Sequence, residues 1–210
     1  MEKIYNELKN AIDKGEDLDI FKEIRGFLAP EEGYSLMLMS ALGEGEGEVV
    51  EIGSFLGKST CYLAMGLKAR KKGCVYAVDH FQGSPEHQVG KKHEEPSLVK
   101  EGTLLYQFYR NLQFYGLQDY VKPLVSESTK PAHNWQKPIR LLFIDGDHSY
   151  DATRRDFENW AIHVPDYGYI VFHDVGPSWP GVTKFFNQII NSNSYKLRLS
   201  VGSVRVVQAK

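Results

Sequence analysis

The sequence has few cysteines, no strong excess of charge and no long apolar segment. Its two cysteines, Cys61 and Cys74, lack the Cys-x-x-Cys spacing of a metal or redox motif, so we expect buried thiols in a reducing compartment. The formal net charge of −2 creates no overall positive field that would favour nucleic acid as a partner. No apolar run approaches the roughly 18 residues of a membrane span, and the charged N-terminus is unlike a signal peptide. We therefore predict a cytoplasmic protein with neither a membrane nor a nucleic-acid partner.

The remaining pattern is that of an α/β protein. Short apolar runs alternate with amphipathic segments, which is typical of a parallel sheet covered by helices on both faces. Residues 195–210 alternate around a Gly202-Ser203 turn, which predicts a C-terminal hairpin that enters the sheet antiparallel. We predict a Rossmann-like, mostly parallel sheet of seven strands. Its five parallel strands are predicted at residues 48–53, 74–79, 120–125, 139–145 and 168–174.

Two segments lie outside this alternation. Residues 1–42 have helical spacing, and Pro30, which is followed by two glutamates, marks the start of a second helix. We predict that these residues form a helical extension ahead of a main domain at 43–210. The extension would act as a lid or as a dimer element, and the second role would make the protein a homodimer. The polar segment 80–102 is either a disordered surface loop or a substrate lid.

The segment VVEIGSFLGKST, at residues 49–60, resembles the start of a phosphate-binding loop. A Walker A loop has the spacing Gly-x-x-x-x-Gly, whereas Gly53 and Gly57 enclose only three residues. Glu51 also precedes Gly53 and would repel a phosphate. A P-loop NTPase remains an alternative, since LLFID at residues 141–145 resembles a Walker B strand.

Acidic residues lie at the end of every predicted parallel strand. The carboxyl ends of parallel strands meet at one edge of the sheet, where such folds bind their ligands. Asp79 follows Gly53 by 26 residues, which is typical of an acid that accepts hydrogen bonds from a ribose. A ligand with ribose hydroxyls and a cationic centre would suit this edge. The acidic residues are Glu51, Asp79, Glu127, Asp145 and Asp174.

These motifs resemble those of class I S-adenosylmethionine (SAM)-dependent methyltransferases. VVEIGSFLGKST looks like their cofactor motif, VYAVDHF at 75–81 like their ribose-binding segment, and LVSEST at 124–129 like the segment beside adenine. FIDGDHSY at 143–150 and FHD at 172–174 are similar to a bacterial subgroup. That subgroup includes cephalosporin-hydroxylase-like proteins and macrolide sugar O-methyltransferases. The resemblance extends over residues 48–190.

The resemblance implies SAM as the cofactor and assigns residues to it. Glu51, Gly53 and Ser54 would contact the methionyl part, and Asp79 the ribose. The remaining assigned residues would surround the adenine or lie at the reaction centre. The complete predicted cofactor-binding set is Glu51, Gly53, Ser54, Asp79, His80, Phe81, Glu127, Ser128 and Asp145.

The resemblance also implies a reaction centre. Asp145 and His148 match an Asp-x-x-His motif in which the acid binds a metal ion and the histidine acts as the base. His173 stands where relatives have an acid, so we predict a divalent metal site of Asp145, His173 and Asp174, holding Mg, Mn or Zn. His148 would accept the proton of a hydroxyl on a small-molecule substrate of sugar or natural-product type. His173 is equally compatible with a core position, and Asp147 is predicted to cap a helix.

Two further functions remain open at the level of the sequence. A metal-dependent hydrolase could use Asp145, His148, His173 and Asp174, but it would leave Glu51 without a role. A SAM-binding protein without catalysis would use the same cofactor motifs.

Overall fold

The structure is a computed structural model that describes residues 1–84, 87–91 and 93–210. It contains a seven-stranded sheet with the predicted Rossmann-like arrangement, so the predicted fold class is confirmed. The strands are β1 (Glu48–Ile52), β2 (Val75–Asp79), β3 (Val121–Val125), β4 (Ile139–Ile144), β5 (Tyr169–Phe172), β6 (Tyr195–Val201) and β7 (Val204–Ala209).

The strand order in the sheet is β3-β2-β1-β4-β5-β7-β6. The first five strands are parallel, and β7 pairs antiparallel with both β5 and β6, as predicted for the hairpin. Val50 in the centre of β1 is opposite Tyr76 of β2 and Leu142 of β4. The chain leaves β1 in one direction for β2 and in the other for β4, which places a crevice at the carboxyl end of β1.

Helices cover both faces of the sheet. They are α1 (Glu2–Asp13), α2 (Pro30–Leu42), α3 (Lys58–Arg70), α4 (Pro96–Glu101), α5 (Leu105–Phe114), α6 (Thr129–His133), α7 (Tyr150–Trp160) and α8 (Pro180–Asn191). Among the residues described, none of these helices combines the length and the apolar character needed to cross a membrane. Both cysteines are free and buried.

The start of α7 explains the role of Asp147. The Ser149 hydroxyl caps the helix by accepting a hydrogen bond from the Ala152 N–H at 3.3 Å. Asp147 Oδ1 accepts a hydrogen bond from the Ser149 N–H at 2.7 Å. Ser149 is therefore the cap, and Asp147, which was predicted to cap the helix, instead stabilises the turn before it.

Residues 1–42 pack into the same hydrophobic core as α3. The Tyr62 hydroxyl of α3 donates a hydrogen bond to the Leu18 carbonyl at 2.7 Å. Gly33 lies so close to Tyr62 that a Cβ atom would be 2.3 Å from the ring. Leu36 and Leu63 are fully buried in this core. The N-terminal helices are thus part of the packed structure, and their role as a lid or dimer element remains a prediction.

The segment 80–102 has structure of its own in its described part. It contains α4, and Glu95 is buried in an ion pair with Arg25 at 3.0 Å. The second Arg25 nitrogen donates to the Glu94 carbonyl at 3.2 Å. One ion pair and one hydrogen bond, both from Arg25, therefore attach this segment to the N-terminal residues. Pro85, Glu86 and Lys92 lie outside the described residues.

Candidate active site

A cavity of about 310 Å³ lies at the carboxyl ends of the parallel strands. Its volume is within the range of about 300–1,000 Å³ that is usual for small-molecule sites. The loops after β1, β2, β3, β4 and β5 contribute to its walls, as do residues 26–28. The sequence-predicted residues that line it are Gly53, Ser54, Asp79, His80, Glu127, Ser128, Asp145, His148, His173 and Asp174.

Gly53 allows the loop after β1 to pack directly on the end of β4. Its φ is +84°, and a Cβ atom would lie 2.1 Å from the Asp145 carbonyl oxygen. Its N–H donates to the Val78 carbonyl at 3.0 Å. A glycine is required here because any side chain would collide with the neighbouring backbone.

Asp79 determines the conformation of this loop. Its Oδ2 accepts hydrogen bonds from the N–H groups of Ser54 at 2.8 Å and Phe55 at 2.9 Å. Its Oδ1 accepts a third from the Phe81 N–H at 2.6 Å. A carboxylate has about four acceptor positions, so capacity remains for a ligand hydroxyl.

The same contacts are inconsistent with a phosphate-binding loop. A phosphate would need the loop N–H groups that Ser54 and Phe55 donate to Asp79. The Lys58 ammonium forms an ion pair with Asp19 at 3.0 Å. The anion-binding groups of the loop are therefore already used within the protein, which argues against the NTPase alternative.

Glu51 lies beneath the loop and does not line the cavity. Its carboxylate is fully buried and accepts hydrogen bonds from the hydroxyls of Ser54, Ser59 and Thr60 at 2.8, 2.6 and 2.5 Å. Burial raises the pKa of Glu51 to about 7, although the three hydroxyl donors oppose this change. Its position corrects the predicted direct contact with a cofactor: Glu51 joins the loop to the first turn of α3.

Phe81 also differs from its predicted position. Its φ is +57°, and its side chain is fully buried against Phe108, with ring centroids 4.9 Å apart. Its side chain therefore belongs to the core and not to the predicted adenine surroundings. His80 does line the cavity, is partly exposed, and accepts a hydrogen bond from the Gln82 N–H at 3.0 Å.

The adenine side of the predicted site includes a residue that the sequence did not indicate. The Ser128 hydroxyl donates a hydrogen bond to Asp156, which is buried and lines the cavity. Burial raises the pKa of Asp156 to about 6, against the Ser128 hydrogen bond. Glu127 beside them is exposed. In the sequence, Asp156 is distinguished only as an acidic residue on the apolar face of α7, beside Phe157.

Asp145, His148 and Asp174 form a compact group at the ends of β4 and β5. Each offers one ligand atom, and these atoms lie within 4.8 Å of one another. His148 Nε2 is 2.9 Å from Asp174 Oδ2. The His148 ring stacks on Trp179, with centroids 3.8 Å apart and an angle of 24° between the planes. Asp174 has a φ of +60°, an uncommon conformation for a residue other than glycine.

His173 lies behind this group and makes contacts with three carboxylates. Its Nδ1 is 2.8 Å from Asp145 and 3.3 Å from Asp174, and its Nε2 is 3.2 Å from Glu32. Burial acts to lower the pKa of His173, but the three carboxylates raise it far above its ordinary value. The atoms that could hold a metal ion come together on Asp145, His148 and Asp174, and His173 lies behind them in contact with both acids. The ligand role of His173 stays a prediction.

The group of Asp145, His148 and Asp174 fits a divalent ion by its chemistry. Two carboxylates and one imidazole supply three donor atoms at suitable spacing. Carboxylate oxygens suit Mg²⁺ and Mn²⁺, and an imidazole suits Mn²⁺ and Zn²⁺. The pKa of Asp174 lies well below its ordinary range, because hydrogen bonds from His148 and His173 outweigh the effect of burial. Asp174 is thus available as an anionic donor.

A family model and several solved structures match this chain. A family model described as "Methyltransferase domain" matches residues 50–175. The O-methyltransferase NovP is 20% identical over 79% of this chain and 72% of that chain, with a TM-score of 0.62. An O-methyltransferase from Bacillus cereus in complex with SAH is 20% identical over 99% and 91%, with a TM-score of 0.61. The calicheamicin methyltransferase CalS11 is 15% identical over 99% and 91%, with a TM-score of 0.64.

At these identities the solved structures show that the fold is shared. The family model shows membership of a family, because its match covers more than half of the chain. The matched residues include the glycine loop, Asp79 and the Asp145–His148–Asp174 group. The resemblance to methyltransferases that the motifs indicated is confirmed, and the chain belongs to the methyltransferase-domain family.

Proposed function

We propose that the protein is a SAM-dependent O-methyltransferase that acts on a hydroxyl group of a small molecule, of sugar or natural-product type. The observation that carries this proposal is the position of the His148–Asp174 pair in the same cavity as the Asp79 loop. Two structural relatives are described as O-methyltransferases, which supports oxygen as the methyl acceptor.

The loop side of the cavity suits the cofactor. SAM, when bound, supplies an electrophilic methyl group on a positively charged sulfur. Asp79, Glu127 and Asp145 line the cavity and would attract a cationic ligand more than a triphosphate. Asp79 has acceptor capacity for ribose hydroxyls beyond its three backbone hydrogen bonds.

The other side of the cavity suits deprotonation of an alcohol. An alcohol is too weak an acid to ionise by itself at neutral pH, so methyl transfer to oxygen requires a proton acceptor. His148 is in contact with Asp174, whose negative charge would stabilise the imidazolium that forms. General-base catalysis of this kind contributes about 10²- to 10⁴-fold.

A divalent ion held by Asp145, His148 and Asp174 would assist deprotonation differently, by lowering the pKa of the acceptor hydroxyl. One ring nitrogen of His148 cannot bind such an ion and accept a proton at the same time. Dependence of the activity on added Mn²⁺ or Mg²⁺, after removal of metals with EDTA, distinguishes these two roles.

The N-terminal residues would complete the cavity as a lid. Gly26, Phe27 and Leu28 line it, and Arg25 forms the ion pair with Glu95 on the opposite segment. These contacts support the lid role for residues 1–42. The predicted homodimer would have to use a surface outside this cavity.

Calorimetry tests the cofactor assignment. We expect micromolar SAM binding and no ATP binding by the full chain. Asp79→Asn should abolish SAM binding, because an amide nitrogen would replace one carboxylate oxygen and face the N–H groups of Ser54 and Phe55 or that of Phe81. Asp119→Asn, which makes the same change at an exposed position, should bind SAM like the wild type. Binding of ATP in place of SAM would refute the proposal.

Methyl transfer tests the reaction. Release of S-adenosylhomocysteine is measured with a panel of sugar nucleotides, glycosides and phenols as acceptors. We expect His148→Ala to retain SAM binding and to lose at least about 100-fold in turnover, the lower part of the range for a general base. If turnover survives in this variant, His148 is not the base.

A further inference from the structure

Glu32 is a buried carboxylate that does not line the cavity. It lies in the first turn of α2 and is only 4% exposed. Its Oε1 accepts hydrogen bonds from the N–H of Ser203 at 2.6 Å and from the Ser203 hydroxyl at 2.9 Å. Its Oε2 accepts a hydrogen bond from the Ala29 N–H at 2.9 Å and lies 3.2 Å from His173 Nε2. One side chain therefore joins α2, the turn between β6 and β7, and the end of β5.

The carboxylate of Glu32 is closely enclosed by these partners. A Cβ atom on Gly202 would lie 2.4 Å from Glu32 Oε1, so the turn has no space for a side chain at this position. Burial alone would favour the neutral acid, but the hydrogen bonds from His173 and Ala29 lower the pKa of Glu32 to about 2. Glu32 is thus a fixed negative charge inside the protein.

A continuous series of contacts leads from Glu32 to the reaction centre. His173 bridges Glu32 at 3.2 Å and Asp145 at 2.8 Å, and its Nδ1 lies 3.3 Å from Asp174. Asp174 in turn lies 2.9 Å from His148 Nε2. The Nδ1 side of the His173 ring therefore contacts both Asp145 and Asp174, while the Nε2 side contacts Glu32.

Asp174 depends on this support more than most residues would. Its backbone is in the left-handed region, at a φ of +60°. Residues in this conformation persist only where the surrounding structure holds them. The N–H of Asp174 donates to the Ser203 hydroxyl at 3.3 Å, and Ser203 is itself bonded to Glu32. Glu32 thus reaches Asp174 both through the side chain of His173 and through Ser203.

We propose that Glu32 is a positioning residue of the reaction centre. It orients the His173 ring, and the ring in turn keeps the Asp145 and Asp174 carboxylates at their distances from His148. The inference rests on the proposed function for the identity of the reaction. It gives the N-terminal residues a part in the chemistry that differs from that of a lid or dimer element.

Binding of Mn²⁺ to the full chain, followed by electron paramagnetic resonance, is the first test. Loss of a residue that orients metal ligands typically weakens metal affinity by about 10- to 100-fold, and we expect this loss for Glu32→Gln. The matched control is Glu31→Gln, which makes the same change at the exposed neighbouring position and should bind like the wild type. Equal Mn²⁺ affinity of Glu32→Gln and the wild type would overturn the inference.

A second control separates positioning from a loss of general packing. Tyr62→Phe removes the hydrogen bond to Leu18 that attaches the N-terminal residues to α3, without touching Glu32. It should lower the free energy of unfolding and leave Mn²⁺ affinity unchanged. If Tyr62→Phe weakens Mn²⁺ binding as much as Glu32→Gln does, the effect comes from loosened packing and the inference fails.

Crystal structures of the wild type and Glu32→Gln supply a readout that needs neither metal nor activity. We expect the Asp174 carboxylate to leave its contact with His148, whereas a purely structural role of Glu32 would displace only α2 and the Ser203 turn. If the wild type binds no Mn²⁺, the metal part of the proposed function fails and this comparison alone decides the inference. If Glu32→Gln does not fold, Glu32→Asp replaces it, since its shorter side chain keeps the charge but cannot reach both His173 and Ser203.

Discussion

The buried carboxyl of Glu51 should make the stability of the protein depend on pH in a way that a single substitution can isolate. Its pKa rises from the ordinary 4.5 to about 7 in the folded chain, because burial disfavours the ionised form. The folded state therefore binds the Glu51 proton more tightly than the unfolded state does. The contribution of this group is fully present below about pH 4.5 and is lost as the pH rises to about 7.

The size of the effect follows from the same two values. At 1.36 kcal/mol for each pH unit, the complete change is roughly 3 kcal/mol. Between pH 5 and pH 8 the wild type should lose about 2.5 kcal/mol of its free energy of unfolding through ionisation of Glu51. Glu51→Gln keeps the shape of the side chain but cannot ionise, and the hydroxyls of Ser54, Ser59 and Thr60 can rotate to bond the amide. The variant should therefore gain stability relative to the wild type by this amount as the pH rises.

Urea unfolding of both proteins at about pH 5 and pH 8 measures the effect, provided that the transitions are two-state. Other titrating groups are present in both proteins, so they cancel in the comparison. Glu158→Gln, at an exposed position of α7, is the control and should show little change with pH. A Glu51→Gln difference that is independent of pH, or that changes in the opposite direction, would show that the three hydroxyls keep Glu51 ionised and that the argument from burial is wrong.

Two further substitutions test the geometry of the site. Gly53→Ala would place a Cβ atom 2.1 Å from the Asp145 carbonyl oxygen and should lower the free energy of unfolding by about 3 kcal/mol or more. Gly90→Ala has a similar φ of +75°, and none of the described residues comes within 4 Å of its Cβ position, so it should cost about 1 kcal/mol. Similar losses in the two variants, measured by urea unfolding, would contradict the close packing of the loop. Trp179→Ala removes the ring stacked on His148 and should lower kcat by more than about tenfold with SAM affinity unchanged, and Trp179→Phe should restore part of the rate. An unchanged kcat in Trp179→Ala would show that the stacking does not orient His148.

The fold was predictable because the signals for it are local. Apolar runs on β1, β2, β4 and β5 indicated strands buried on both faces, and the alternation about Gly202 indicated the antiparallel hairpin. The approach of Asp79, Asp145 and Asp174 to one cavity follows from the rule that parallel strands end at the same edge.

The parts of the site that differed from prediction depend on contacts between distant residues or on local backbone conformation. The pairing of His173 with Glu32 joins residues 141 positions apart, and nothing in the motif around His173 indicates a helix residue behind it. The buried side chain of Phe81 goes with a backbone of positive φ, a conformation that its residue type does not suggest. Glu51 was predicted to face a ligand, although the hydroxyls that cover it follow within nine positions of the chain.

The hydrogen bonds from the glycine loop to Asp79 have a consequence for how a ligand would bind. Because a carboxylate of the protein already holds the Ser54 and Phe55 N–H groups, the loop is ordered before any ligand arrives. A ligand then loses no binding free energy to the ordering of this loop. Amide hydrogen exchange at residues 53–57 should accordingly be slow in the free protein, and saturation with SAM should change it little.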